Sequence, residues 1–244
     1  MSSSVLVAAA LAWEAREIVD SVGARETARD GARRLWRGAG DVWVLRTGMG
    51  LEQASDALAW AARTIRPDVV VSTGCAGALV SDLAIGDVAV ADEVVTKNGV
   101  AAKTSAAWSE RYRRAAAAAG LKARSGRMLS LGEMIATPEE KRATAAATHS
   151  LAVEMEAAAI AEWALRAGAE FAAARAIIDT ADMSLTPEVA AMTLPSGSVS
   201  LGRVAIALAR RPGLARDLVA LGSAARRCRA SLGALHRALV RDMR

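Results

Sequence analysis

Residues 151–182 read LAVEMEAAAIAEWALRAGAEFAAARAIIDTAD, and their reading decides the fold. An apolar entry carries Glu154, Met155 and Glu156. A helix follows from about Ala157 to Ala167 and stops at Gly168, because glycine just past a helical run enters the left-handed conformation at little cost. A strand of about Phe171–Ile178 comes next and ends in Asp179. It is nearly all apolar, as a strand covered on both faces should be. Asp179 and Asp182 therefore sit beyond the carboxyl end of a buried strand, where open α/β sheets place their ligands. Glu156 falls at the helix start, where the dipole favours negative charge. Read singly, Glu156 is also an ordinary helix-start acid and Asp179 an ordinary loop cap.

The same alternation runs outward from this unit. SVLVAAAL at 4–11 reads as a buried first strand, followed by Trp13, Glu14 and a helix. DVWVLRTGMG at 41–50 reads as a strand ending in a Gly48-Met49-Gly50 turn, whose backbone N–H groups are free to face an anion or hydroxyl. Arg46 lies just before that turn. RPDVVVSTGCAGAL at 66–79 gives a buried strand and then a small-residue loop, Gly74-Cys75-Ala76-Gly77, that lets a ligand approach the backbone. GDVAVADEV at 86–94 reads as a further strand. The chain then passes through TKNGVAAKTSAAW to a helix near Ser109–Ala119. KARSGRMLSLGEMIAT at 122–137 reads as a strand and loop, with Thr137 capping a helix that opens on Pro138. Strand–helix alternation to residue 180 predicts a three-layer α/β/α domain with a central mixed, mostly parallel sheet.

These segments together resemble the nucleoside phosphorylase / methylthioadenosine nucleosidase superfamily. The resemblance rests on V-E-M-E-A-A-A at 153–159, R-A-I-I-D-T-A-D at 175–182, T-G-C-A-G at 73–77, the Gly48–Gly50 turn and A-L-A-W-E at 10–14. It implies that Glu156 binds ribose hydroxyls, Met155 packs on the sugar, and Asp179 gives a proton to purine N7. It implies that Glu14 activates the attacking water, with Glu17 as the rival. It places Gly74, Cys75, Ala76 and Gly77 at the ribose and the water or phosphate site. If phosphate is the co-substrate, Gly48, Gly50 and Arg46 help to hold it. Ile135, beside Met134 and Ala136, falls where the family builds its base pocket, commonly with a stacking Phe. Two positions depart from the family: Ile178 and Cys75 stand where Ser is frequent. The segment after residue 94 is also shorter than the usual substrate cover.

Composition limits the classes. The chain has 244 residues, 53% of them hydrophobic but only 3% aromatic, so the core must be built from Ala, Val, Leu and Ile. Cys75 and Cys228 form neither a disulfide framework nor a zinc spacing. No metal or organic cofactor is expected. No signal-peptide pattern or membrane-length apolar run is present, which predicts a cytoplasmic protein. From Arg203 to Arg244 there are ten Arg against Asp217 and Asp242, so the net charge of +5 belongs to the tail and gives no reason to expect nucleic acid.

The expected division is an α/β domain over 1–200 and a basic amphipathic helical tail over 201–244 packed on it. One helix is expected at Leu201–Arg210. After Arg-Arg-Pro-Gly, Leu214, Leu218, Leu221, Ala225, Cys228, Leu232, Leu235 and Leu239 form an apolar stripe on a second helix. That helix packs on the domain or on a partner in a homo-oligomer, or else lies peripherally on an anionic membrane. The short cover and this tail are similar to the hopanoid-biosynthesis branch, implying a lipid-linked nucleoside, adenosylhopane, as substrate. A methylthioadenosine/S-adenosylhomocysteine nucleosidase and a non-catalytic nucleoside-binding domain are the alternatives. A nicotinamide-binding fold is disfavoured, since the Gly-X-Gly turn lacks the third spaced glycine.

Overall fold

The computed structural model describes residues 3–185, 211 and 214–243, apart from the side chains of 216 and 217. The helix expected at Leu201–Arg210 and the expected boundary at residue 200 lie outside the described residues.

The elements, in chain order, are β1 (Val5–Ala9), α1 (Ala12–Val22), β2 (Arg25–Asp30), β3 (Arg33–Arg37), β4 (Val42–Arg46), α2 (Leu51–Ala61), β5 (Val69–Ala78), β6 (Val88–Thr96) and β7 (Gly99–Lys103). They continue with α3 (Ala106–Ala118), β8 (Ala123–Ser130), α4 (Pro138–Thr148), β9 (Ser150–Glu154), α5 (Ala157–Ala167), β10 (Glu170–Asp179) and α6 (Leu214–Asp242).

The sheet runs β10-β6-β8-β9-β5-β1-β4-β3-β2, and β10 also pairs with β5. That extra pairing closes β5, β10, β6, β8 and β9 into a ring. The central ladders β4–β1–β5–β10 are parallel. Antiparallel pairs occur in the β2–β3–β4 and β6–β7 hairpins and at the curl, where β10 meets β6 and β5 meets β9. The fold is thus the expected mixed α/β sandwich.

Alternation along β1 explains the three layers. Leu6 and Ala8 face a cluster with Ala54, Leu58, Ile160 and Ala164 of α2 and α5. Val5, Val7 and Ala9 face the opposite cluster, with Ile18 of α1, Tyr112 of α3 and Leu235 of α6. Ala, Val, Leu and Ile carry most of this core, matching the scarcity of aromatic side chains.

Two local expectations change. The Thr73–Gly77 segment is not a loop but the continuation of β5. The stretch after residue 94 is a tight β6–β7 hairpin, and α3 starts at Ala106, three residues earlier than expected. The apolar stripe of α6 faces inward: Leu214, Cys228, Leu232, Leu235 and Leu239 are buried, and the helix packs on α1, α3 and β10. Among the described residues, no helix is long and apolar enough to cross a membrane.

Candidate active site

The β5–β10 ladder brings the distant acids together. β10 runs parallel to β5 in register from Glu170↔Val69 to Ile177↔Ala76, and a bulge then sets Asp179 against Gly77. A regular strand would send Ile178 and Asp179 to opposite faces. The bulge re-aims the chain so that both line one cavity. β9 ends at Glu154 and α5 starts just after Glu156, which puts the E-M-E run on the neighbouring wall.

The cavity holds about 280 Å³ and is lined by Glu14, Cys75, Ala76, Gly77, Ile135, Met155, Glu156 and Asp179, among others. Glu156 and Asp179 are 4% and 5% exposed, and Glu14 is 2% exposed on the facing wall. Glu14 Oε2 accepts from the Leu11 N–H at 2.8 Å, closing the first turn of α1. Its Oε1 accepts from the Cys75 N–H at 2.8 Å, tying α1 to β5. Glu17 instead bonds Arg229 of α6 at 2.5 Å, away from the cavity, so Glu14 is the first-helix acid that faces it.

The glycine turn differs from expectation. Its N–H groups are not free for an anion: Gly48 donates to the Ala10 carbonyl, and Gly50 donates to Glu156 Oε1 at 2.8 Å. Met49, between them, lines the cavity. Gly48, Gly50 and Gly74 stand behind the wall rather than in it. Arg46 does not reach the site at all. The β3–β4 hairpin turns its guanidinium outward, where it donates to the Ala32 carbonyl with Nε at 2.6 Å.

Two glycines are demanded by close approach. A Cβ on Gly74 would lie 2.7 Å from the Glu14 carboxylate, and its φ of +132° is one that other residues rarely adopt. A Cβ on Gly77 would lie 2.9 Å from Asp179 Oδ2. Gly74→Ala should therefore displace Glu14 and strain β5, costing roughly 1–3 kcal/mol of stability. A urea midpoint unchanged from wild type would contradict that packing.

Three groups missed in the sequence support the acids from behind. Arg175 is 1% exposed. It donates to Thr73 O at 2.9 Å, Ser72 Oγ at 2.7 Å and Glu154 Oε2 at 2.5 Å, and lies 3.5 Å from Glu156 Oε2. Glu154 Oε2 also accepts from the Glu156 and Ala157 N–H groups, fixing the start of α5. Lys141 of α4 pairs with Asp179 at 2.5 Å. Apart from Glu133, the remaining wall is apolar and includes Trp13, Met134, Leu185, and Leu221 and Ala225 of α6.

Burial shifts the acids. It pushes Glu156 up to about 7, opposed by Arg175 and the Gly50 N–H and helped by the Glu154 and Glu14 charges. Burial likewise raises Asp179, partly offset by Lys141. Burial, with Cys228 and Glu14 nearby, pushes the Cys75 thiol well up, so it is a poor nucleophile. Its sulfur lies 3.4 Å from that of Cys228 on α6.

The model of the phosphorylase superfamily matches residues 4–209. The chain belongs to this superfamily. A 5'-methylthioadenosine/S-adenosylhomocysteine nucleosidase of Staphylococcus aureus is 28% identical over 159 residues, covering 58% of this chain and 70% of that protein. Among solved structures, the Neisseria meningitidis 5'-methylthioadenosine/S-adenosylhomocysteine nucleosidase in complex with methylthio-immucillin-A superposes with a TM-score of 0.76 at 20% identity. It covers 98% of this chain and 99% of its own. Native futalosine hydrolase of Helicobacter pylori superposes with a TM-score of 0.75 at 17% identity, covering 99% of each chain. At these identities the superpositions show the shared fold alone.

Proposed function

We propose that this enzyme hydrolyses the N-glycosidic bond of an adenosine-type nucleoside carrying a lipid on its 5′ side, as adenosylhopane does in hopanoid biosynthesis. The observation that carries the reading is the meeting of Glu14, Glu156 and Asp179 around one cavity. Breaking the C1′–N9 bond sends its electron pair to adenine and leaves positive charge on the sugar. Protonated Asp179 gives N7 a proton and makes adenine a better leaving group. Ionised Glu156 accepts hydrogen bonds from the ribose hydroxyls. Glu14 takes a proton from the water that attacks C1′. Met155 packs on the sugar, and Ile135 with Met134 forms an apolar slot for the base, without aromatic stacking.

Water is favoured over phosphate by charge. Besides Glu14, Glu156 and Asp179, the lining carries Glu133 and Glu154. Among the described residues its one cation is Arg175, whose terminal nitrogens are held by Thr73, Ser72 and Glu154. A phosphate dianion meets repulsion there, and Arg46 is turned away. The lipid is supported by the apolar side of the cavity, Trp13, Ile178, Leu185 and Leu221, part of which is supplied by α6. Arg226, Arg227 and Arg241 on the outer face of α6 would attract an anionic membrane that delivers such a substrate.

The test supplies purified protein with an adenosyl-lipid or methylthioadenosine, each with and without inorganic phosphate. Adenine, free sugar and sugar phosphate are quantified. The expected result is adenine and free sugar without phosphate, with the lipid-linked substrate preferred in kcat/KM. Sugar phosphate would overturn hydrolysis. Preference for methylthioadenosine would favour the substrate named for the curated relatives. Binding without adenine release would leave a nucleoside-binding domain.

A further inference from the structure

Helix α4 buries one residue completely, and it is a lysine. Lys141 is 0% exposed, whereas its neighbours Glu139, Glu140 and Arg142 are solvated. The start of α4 fixes its position. Thr137 Oγ1 accepts from the Glu140 N–H at 3.2 Å, and Glu140 reaches back to the Ala136 and Thr137 N–H groups. The Lys141 N–H then closes the first turn on the Thr137 carbonyl. Lys141 Nζ contacts Asp179 Oδ2 at 2.5 Å, the Thr180 carbonyl at 2.7 Å and the Met183 carbonyl at 3.0 Å. Three acceptors need three N–H groups, and only the ammonium form has them. A buried ammonium is costly unless paired, so this one is retained at a specific carboxylate.

We infer that Lys141 is a positioning residue for proton transfer: it clamps Oδ2 of Asp179, leaves the other carboxyl oxygen to the base, and stabilises the carboxylate formed when the proton departs. This rests on the proton-donor role proposed for Asp179. In the step, the Asp179 O–H bond breaks, the N7–H bond forms, and the C1′–N9 electron pair moves onto adenine. The negative charge left on Asp179 faces the Lys141 ammonium. Lys141 keeps its own protons throughout. Without it, Asp179 sits in the same buried wall and, among the described residues, has no cation of its own. Among the described residues, the other ionisable groups on that wall are Glu14, Cys75, Glu133, Glu154, Glu156 and Arg175. Of these, Arg175 is committed to Glu154 and Glu156.

The test uses Lys141→Met and Lys141→Gln, the second retaining an N–H donor in case the first folds poorly. Asp179 is observed directly through a γ-¹³C-aspartate label, assigned by its loss in Asp179→Asn. Removing a cation raises a carboxyl's proton affinity, so both variants should titrate about one to three pH units higher than wild type. Adenine release needs protonated Asp179 and is lost as pH rises through its pKa, so the alkaline limb of kcat moves up by the same amount. At the plateau, kcat should fall about 10- to 100-fold, because the acid is weaker and its conjugate base unsupported. Lys141→Arg, which keeps the charge, should recover part of both. A merely structural role would loosen the site, admit water, and leave the titration unchanged or move it down. Either result overturns the inference. A wild type that releases no adenine defeats the functional reading, while the label still reports whether Lys141 governs Asp179.

Discussion

Asp179→Asn should leave a folded protein that has lost adenine release by about 10²- to 10⁴-fold. Asparagine matches the shape of aspartate, and its amide oxygen can still accept from Lys141. It has no carboxyl proton to give to N7, so adenine leaves unassisted. The change belongs in kcat, because the cavity wall keeps its form. Calorimetric binding of an adenosine analogue should therefore survive while turnover does not. The same change should matter less for a riboside whose leaving group needs no protonation. Full turnover in Asp179→Asn would place the acid elsewhere and remove the basis of the mechanism.

The second large effect falls on stability. Arg175→Met removes the cation shared by Glu154 and Glu156, all three being buried. Breaking a buried pair from one side costs about 3–5 kcal/mol, against a total of about 5–15 for a typical domain. The loss should depend on pH. Glu156 already stands at about 7 against an ordinary value of 4.5, and Arg175 opposes that rise. Removing Arg175 lifts it further. A carboxyl raised in the folded state binds more protons there than in the unfolded chain. Stability then falls as pH climbs from the unfolded value through the folded one. Urea midpoints of Arg175→Met should thus lie closest to wild type near pH 5 and furthest below it near pH 8. An equal deficit at both values would mean that lost packing, not stranded charge, is the cause.

Much of the local structure was legible because its causes are local. Apolar periodicity and Gly168 place α5 at Ala157–Ala167, as the structure has it, and Thr137 with Pro138 marks the start of α4. The meeting of Glu14, Glu156 and Asp179 was suggested by motif resemblance, but the spatial cause is the long β5–β10 register, which no single segment encodes. The bulge after Ile177 has no sequence mark either. Lys141 in PEEKR and Arg175 in RAIID look like any solvated charge or interrupted strand. Only tertiary packing shows that each is the counter-ion of a carboxylate. Arg46 failed for the opposite reason. Its position beside the glycine turn suggested reach toward the site, and the direction of the hairpin denied it. The inward face of α6 was foreseen as a stripe, but Leu221 and Ala225 as cavity wall were not, since that depends on where a distant helix lands.

The outermost strand, β2, has a further consequence. It pairs with β3 on one side, and among the described residues no strand pairs with its other side. Such a rim offers unsatisfied amide and carbonyl groups to any extended chain. Here it reads Arg25-Glu26-Thr27-Ala28-Arg29-Asp30, exposed at every position but Ala28. A foreign strand docking along it would have to desolvate this dense charge or lie against it unpaired. The rim thus discourages fibre-like stacking of one molecule on the next, without a proline and, among the described residues, without a covering helix.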